Sequence, residues 1–163
     1  MEYLKRSSST RVEDDPQIAS RVQEMLRTIR HEGEPAIKRY ARELDGWEDE
    51  FVLSDAKKKM LIDQVPEQTK SDLQFSLKQI NRFAEAQRAS LTEFEIQTEP
   101  GVVLGQRLVP IQTVGCYVPG GRYAHAASAL MSIATARVAG VSEIIACSPP
   151  RGSSIHPAVA YAM

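Results

Sequence analysis

Apolar residues in the first half of the chain recur at the spacing of a helix face. The first such stripe follows Asp15-Pro16 and is separated by steps of three and four residues: Ile18, Val22, Met25 and Ile29. Asp15 is a suitable N-cap and Pro16 a suitable first helical residue. Gly33 is a suitable C-terminal cap. The pattern therefore predicts an amphipathic helix that ends near Gly33.

Three further helices are predicted before residue 90. One begins near Glu34-Pro35 and ends at Asp45-Gly46. A short one is capped by Ser54 and reaches about Asp63. A longer one opens at Pro66, and helix-favouring residues continue through Arg88. Between them, the apolar residues 51–53 are consistent with a short strand.

The pattern changes after residue 90, where apolar and polar residues alternate. The segment FEIQT (94–98) has the alternation of a half-buried strand. Glu99-Pro100-Gly101 is a turn sequence, and VVLGQRLVP (102–110) follows it as a second arm. We therefore expect a β-hairpin.

The remainder predicts a strand, a glycine loop, a helix and a second strand. The strands cover 112–118 and 144–148, the helix runs from about 125 to 139, and Pro119-Gly120-Gly121 interrupts the chain between strand and helix. The expected buried stripe of the helix consists of Ala127, Met131, Ala134 and Val138, widened by Leu130 and Ile133. The second strand is apolar until its end, which favours a parallel strand covered on both faces. A right-handed crossover is expected.

These elements divide the chain at about residue 90. Residues 1–90 form a helical, charged segment, and residues 91–163 begin a mixed α/β domain. The fold class is therefore α/β, with a hairpin and a βαβ unit after an N-terminal helical segment.

Charge and composition exclude several classes of function. The net charge is −1 with a pI near 6.3, and basic residues are interspersed with acidic ones, which argues against nucleic-acid and membrane-surface partners. The sequence shows neither a membrane-spanning apolar run nor a signal-peptide core, so a cytoplasmic location is expected. Cys116 and Cys147 lie in apolar runs and are interpreted as buried thiols.

The glycine loop lies where ligands bind in open α/β sheets, at the carboxyl end of a strand and before a helix N-terminus. Its sequence, GGRYAH, matches neither G-x-G-x-x-G nor G-x-x-x-x-G-K-[ST]. Spacing alone therefore favours a structural turn over a cofactor loop. Arg122 is either an anion partner or a solvated charge, and Tyr117 either stacks on a planar ring or belongs to the core.

The histidines offer no recognisable catalytic or metal-binding pattern. His31, His125 and His156 show no metal-ligand spacing, and no Cys or His pair has the C-x-x-C or H-x-x-x-H pattern. No Ser/His/Asp arrangement is defensible either. The residues alone therefore predict no zinc site.

The segments VGCYVPGG, ASALMSIATARVAGV and EIIACSPP together resemble the central signature of the histidinol dehydrogenase family. RTIRHEGEPAIKRYARELDGW, INRFAEAQ and TEPGVVLGQRLVPI are similar to the start of that family, so the resemblance covers most of the chain.

The resemblance implies a zinc-containing, NAD-dependent enzyme that oxidises a primary alcohol to a carboxylate through an aldehyde, in two hydride transfers. It implies an intertwined homodimer and an incomplete Rossmann-like domain of the histidinol dehydrogenase/aldehyde dehydrogenase type. Carried over to this chain, it makes Tyr117 an NAD contact and places Gly120 and Gly121 in the loop beside it. The family's zinc ligands and its Glu-His acid/base pair are expected beyond residue 163, so no catalytic or metal residue is assigned here.

The helix sequence leaves the substrate open. GRYAH–ASA–MSIATA is similar to a branch that includes sulfopropanediol 3-dehydrogenases, whereas histidinol oxidation is the alternative. A third interpretation is a truncated, non-catalytic relative that acts as an interaction chain. We expect the 163-residue chain alone to lack dehydrogenase activity and to bind no zinc tightly.

Overall fold

The computed structural model describes residues 16–120 and 124–163, and over these it confirms the α/β class. They form six helices and two small sheets of two strands each. The chain separates into two compact units, residues 1–49 and 50–163. The expected domain boundary near residue 90 stays a prediction. None of the helices within the described ranges is long and apolar enough to cross a membrane.

The first unit contains helices α1 (Pro16–Glu32) and α2 (Glu34–Asp45). Gly33 separates them with a φ of +69°, and its N–H donates to the carbonyl of Ile29 at 2.8 Å. Gly46 ends α2 with a φ of +62°. Both glycines have a positive φ that a side chain disfavours, and Gly46 has the left-handed helical conformation, so both predicted helix ends are confirmed.

The apolar stripe predicted on α1 is largely exposed in the structure. Ile18 is 63% exposed and Val22 48%, whereas Ala36 of α2 is fully buried. Asp15, the expected N-cap, lies outside the described residues.

The second unit begins with helices α3 (Asp55–Asp63) and α4 (Glu67–Ala89). Ser54 caps α3 as predicted, because its Oγ accepts from the backbone N–H of Lys57 at 3.3 Å. The expected strand over 51–53 is wrong. Residues 51 and 52 form a bend, all three residues lie outside both sheets, and the helix that Ser54 caps follows at once.

The predicted hairpin consists of strands β1 (Phe94–Glu99) and β2 (Val102–Gln106), paired antiparallel as a sheet of their own. Ile96 lies opposite Leu104, and the register shifts between Gln97 and Glu99, as in a β-bulge. The second arm is shorter than the predicted 102–110.

The shortening of this arm has a local cause. Leu108 donates its backbone N–H to the Glu93 carboxylate at 2.8 Å, so this amide is satisfied without a strand partner. The chain then leaves the hairpin toward the βαβ unit.

That unit is confirmed as strand β3 (Thr113–Tyr117), helix α5 (Ala126–Val138) and strand β4 (Glu143–Cys147). The two strands pair in parallel, with Tyr117 opposite Cys147. The right-handedness of the crossover stays a prediction.

Helix α5 covers one face of this sheet and leaves the other open. The hydrophobic core on the covered face consists of Cys116, Val118, Ala129, Ile133 and Val159, with Val114, Ile144, Ala146, Ala162 and Met163 packed against it. On the opposite face, Tyr117 is 65% and Ile145 56% exposed. Within the described residues β4 is therefore covered on one face only, and the prediction of two covered faces is wrong. Alternation also exposes Cys147, which corrects its interpretation as a buried thiol, whereas Cys116 is buried as predicted.

The buried face of α5 differs from the predicted stripe. Ala127 and Met131 are exposed. The buried residues are instead Ala126, Ala129, Leu130, Ile133 and Ala134. Nearly every residue of this helix is apolar or small, so no polar face fixes the phase of the stripe.

Helix α6 (Pro157–Ala162) completes the second unit and packs against α3, α4 and α5. Gln74 of α4 donates from Nε2 to the Tyr161 hydroxyl at 2.8 Å. Helix α4 also packs along α5, so the helices hold the βαβ unit from the side opposite the open sheet face.

Candidate functional site

The candidate site lies at the carboxyl ends of β3 and β4, where two loops leave the sheet. Pairing continues one residue past β3, since Val118 donates its N–H to the Cys147 carbonyl at 2.8 Å. Beyond this point one chain segment enters α5 and the other leads to α6. Ligands of open α/β sheets bind at this edge.

Tyr117 is the last residue of β3 and belongs to the open face of the sheet. It is 65% exposed and therefore lies outside the core that the described residues form. Cys147 lies opposite it in the register and is also exposed. The phenol ring is therefore accessible to a planar group, and its role as an NAD contact stays a prediction.

Gly120 is required by the packing of the two loops. A Cβ built on it would lie 2.7 Å from Cγ and 3.2 Å from the carbonyl oxygen of Pro149. Contacts this short leave no room for a side chain, so Pro149 accounts for this glycine without any ligand. Gly121 and Arg122 lie outside the described residues.

The N-terminus of α5 follows this loop and has the electrostatics of an anion site. His125 is the N-cap residue and makes no side-chain capping bond. The first turn contains no acidic residue. The dipole of this helix start therefore meets no competing carboxylate from its own first turn.

A narrow cleft separates the two loops. Its described lining consists of Pro119, Gly120, Ala124, Ser148, Pro149, Arg151, His156 and Val159. It has only about 10 Å³ of water-accessible space, close to the minimum for one water molecule. The cleft is too small to enclose a nucleotide, so these residues can contact one side of it only.

His156 is engaged in the backbone of the next helix. Its Nδ1 accepts the N–H of Ala158 at 3.2 Å, which caps α6. His156-Pro157 therefore opens a helix, as the sequence suggests, and the capping bond gives the imidazole a structural role.

The described residues do not fit a zinc centre. Over residues 16–120 and 124–163, no group of three or more His, Cys, Asp or Glu side chains is placed to hold a metal ion. The two cysteines lie on opposite faces of the β3–β4 sheet, with Cys116 buried under α5 and Cys147 on the open face. They cannot serve one metal together.

Sequence reasoning missed Pro149 and Cys147 as residues of this site. The register of two parallel strands could have identified Cys147, because counting back from the two loops places it beside Tyr117. Pro149 had no comparable signal, since its contact with Gly120 depends on the paths of both loops.

Comparison with known families covers nearly the whole chain. The family model described as histidinol dehydrogenase matches residues 8–163. A histidinol dehydrogenase homolog from Ruegeria pomeroyi is 52% identical over 143 residues, which are 87% of this chain and 33% of that protein. A sulfopropanediol 3-dehydrogenase from the same organism is 42% identical over 163 residues, covering 99% of this chain and 38% of that protein.

A histidinol dehydrogenase from Methanosarcina mazei is less similar, at 34% identity over 142 residues, 86% of this chain and 33% of that protein. Among solved structures, the histidinol dehydrogenase of Elizabethkingia anophelis matches with a TM-score of 0.80. That match has 23% identity and covers 99% of this chain and 36% of the other, so it supports the fold.

The chain spans between a third and two fifths of the length of these relatives. The match of the family model over residues 8–163 and the shared fold agree with the motif resemblance. The chain belongs to the histidinol dehydrogenase family.

Proposed function

We propose that this chain forms one wall of the NAD site in an NAD-linked dehydrogenase that oxidises a primary alcohol to a carboxylate. The observation that supports this most directly is the exposed Tyr117 at the carboxyl end of β3, beside the loop that enters α5. An aromatic face next to a helix N-terminus suits a ligand that combines planar rings with phosphates.

In this proposal each described group has a binding role. Tyr117 contacts a ring of the cofactor, and the first N–H groups of α5 bind an anionic phosphate. Gly120 lets the loop pass Pro149 so that the backbone stays close to the sheet edge. When bound, NAD would supply the hydride acceptor for the alcohol, and a second NAD would do so for the aldehyde after water has added to it, so that water provides the second carboxylate oxygen. Gly121 belongs to the same proposed loop.

Zinc dependence is also part of the proposal, although the described residues do not fit the metal. The ligands would come from elsewhere in a longer polypeptide. We derive no step through the metal for this chain.

A sulfopropanediol-type diol is the proposed substrate. The sulfopropanediol 3-dehydrogenase is 42% identical over almost the whole chain, against 34% over 86% for the histidinol dehydrogenase from Methanosarcina. The similarity of GRYAH–ASA–MSIATA to the same branch supports this choice. Histidinol is the alternative substrate, and a homodimer is the proposed assembly.

The test uses a polypeptide of the relatives' length that contains this chain. NADH formation is measured with 2,3-dihydroxypropane-1-sulfonate and with histidinol, and we expect turnover of the sulfonate. Turnover of histidinol alone would replace the proposed substrate, and turnover of neither would favour the non-catalytic interpretation. The 163-residue chain alone is expected to form no NADH.

Variants of Tyr117 test the NAD wall itself. We expect Tyr117→Ala to raise the KM for NAD about tenfold, with a smaller effect on kcat, because one stacking surface is lost. Tyr117→Phe retains the ring and should remain close to the parent. Ile145→Ala removes apolar surface from the same open sheet face and serves as the control. If Tyr117→Ala left the KM for NAD unchanged, Tyr117 would not be an NAD contact.

A further inference from the structure

Arg151 lies on the loop after β4 and lines the cleft between the two loops of the candidate site. The same cleft is lined by Gly120 and by Ala124, which directly precedes the N-cap of α5. Arg151 is exposed, and its side chain forms no ion pair or hydrogen bond with any residue that the structure describes. Its guanidinium is therefore free to bind a ligand that lies at the start of α5.

The backbone on both sides of Arg151 is constrained. Its N–H donates to the carbonyl of Ser154 at 2.6 Å, and the two residues form an isolated antiparallel bridge around a tight turn. Gly152 within this turn has a φ of +67°, which favours glycine. On the other side, Pro149 lies against Gly120. This framework places Arg151 near the loop after β3 before any ligand arrives, so binding costs less conformational entropy.

The charges of the α/β region are separated along the β3–β4 sheet. Glu143 is the only acidic residue between residues 100 and 163. It begins β4, and its carboxylate accepts from the Thr113 hydroxyl at 2.9 Å, at the amino edge of the sheet. Four residues of strand, about 13 Å, separate it from Cys147 at the carboxyl edge. Residues 100–163 therefore place no Asp or Glu side chain at the edge where Arg151 lies.

This arrangement suits a phosphate. A guanidinium presents paired N–H donors that match two phosphate oxygens, and it is desolvated more easily than an ammonium group. The dipole and the backbone N–H groups of a helix start favour the same anion. The cleft holds about one water molecule, so a phosphate would contact Arg151 from outside the cleft.

We propose that Arg151 binds the pyrophosphate of the dinucleotide and is a specificity-determining residue of the cofactor site. This inference rests on the proposed NAD site. It adds to that site a charged partner from the second loop, opposite the start of α5.

A different phosphate is the main alternative ligand for this side chain. In dinucleotide-binding folds, an arginine near the end of the second strand can bind the 2′-phosphate that distinguishes NADP from NAD. Arg151 follows the last residue of β4 by four positions and shares its cleft with Ala124, at the start of α5. This position favours the pyrophosphate, because the phosphates that link the two nucleosides bind at the helix start.

The test uses a polypeptide of the relatives' length that contains this chain. Calorimetry gives the dissociation constants for NAD, NADP and ADP, in the parent and in Arg151→Gln. The matched control is Arg137→Gln, which removes an exposed positive charge from the last turn of α5, at the opposite end of that helix. Circular dichroism establishes that both variants remain folded.

We expect Arg151→Gln to raise the dissociation constants of all three nucleotides about tenfold, because each contains the pyrophosphate. Arg137→Gln should change them less than about twofold. Arg151→Lys should recover part of the affinity, to within about threefold of the parent, because it restores the charge without the planar pair of donors.

Salt provides a readout that a merely structural role would not change. Between about 0.05 and 0.5 M NaCl, the affinity of the parent for NAD should decrease more than that of Arg151→Gln, because the variant has lost one screened charge interaction. An equal salt dependence would mean that Arg151 supports the loop and does not bind the phosphates, which overturns the inference.

Two further results would contradict the assignment and leave the proposed NAD site standing. Unchanged affinity for NAD in Arg151→Gln would show that Arg151 does not contact the cofactor, and a loss confined to NADP would assign it to the 2′-phosphate. A parent polypeptide that binds none of the three nucleotides would overturn the proposed function and this inference together.

Discussion

At the scale of single residues, the contact between Gly120 and Pro149 connects the two loops of the candidate site. The loop after β3 passes so close to the loop after β4 that a Cβ on Gly120 would lie 2.7 Å from Pro149 Cγ. The close approach of the two loops at the sheet edge therefore depends on this glycine. Gly115, five residues earlier, lies in β3, and a Cβ added there would meet no atom within 4 Å.

We predict that Gly120→Ala destabilises the chain and Gly115→Ala does not. The added methyl at position 120 forces the two loops apart, with an expected loss of about 1 to 3 kcal/mol in the free energy of unfolding. Alanine at position 115 meets open space, so its effect should stay within about 0.5 kcal/mol. Urea unfolding followed by circular dichroism measures both. Equal effects of the two substitutions would mean that the close approach to Pro149 is relieved without cost.

The outcome at Tyr117 and Cys147 shows which residue properties a sequence can predict. The residue types near the loop and the strand that presents them were evident from the motif. The motif did not show which face of the sheet α5 would cover. This choice of face determines that Cys116 is buried and Cys147 is exposed. Alternation along a strand gives the relative orientation of neighbours and leaves the choice of face to tertiary packing.

At the scale of elements, helices α4 and α5 are joined by a polar contact at the end of α5. Arg88 of α4 donates from Nη1 to the carbonyl of Val138 at 3.1 Å. Val138 is the last residue of α5, where carbonyl groups lack helical partners and the helix dipole is negative. A cationic donor from the neighbouring helix is favourable on both grounds.

We predict that Arg88→Met lowers the free energy of unfolding by about 1 kcal/mol, because it removes this charged hydrogen bond and retains most of the apolar stem. Arg82→Met changes an exposed arginine on the same helix and should have a much smaller effect. The difference between the two should decrease in high salt, since the interaction with the helix dipole is screened. If Arg82→Met destabilised the chain as much as Arg88→Met, the loss of a positive charge from α4 would explain the effect, and not the loss of the hydrogen bond to Val138.

Element ends were predictable wherever one residue determines them. Gly33, Gly46 and Ser54 act through their own backbone or side chain, so their roles follow from local chemistry. The buried face of α5 was not predictable, because alanine and aliphatic side chains are distributed around all sides of this helix. The strand expected over 51–53 failed for a related reason: apolar composition alone does not supply a pairing partner.

At the scale of the whole molecule, the described residues leave apolar surface uncovered on the β3–β4 sheet and on the hairpin. The relatives are between two and three times as long as this chain. The sequence predicted the elements of the βαβ unit and their order. It could not predict how much of their surface the chain itself would cover, because this depends on packing between elements that are distant in sequence.

The two cysteines give a prediction about the opening of the whole second unit. In the folded chain we expect Cys147 to react rapidly with a thiol reagent, whereas Cys116, 5% exposed, should react at least about a hundredfold more slowly. Denaturant should abolish the difference. Mass spectrometry of labelled peptides distinguishes the two sites. Comparable rates at both cysteines under native conditions would show that the core around Cys116 opens readily.

The difference in accessibility between these two thiols provides a built-in measurement of how often the core opens. Cys116 sits among the core residues that join α5, α6 and the sheet, so every alkylation there records one event in which that core has come apart. Cys147 on the neighbouring strand measures the chemical speed of the reagent in the same tube. When the core recloses faster than it is alkylated, the ratio of the Cys116 rate to the Cys147 rate gives the fraction of molecules in which the core is open. This fraction can be measured before and after a cofactor is added.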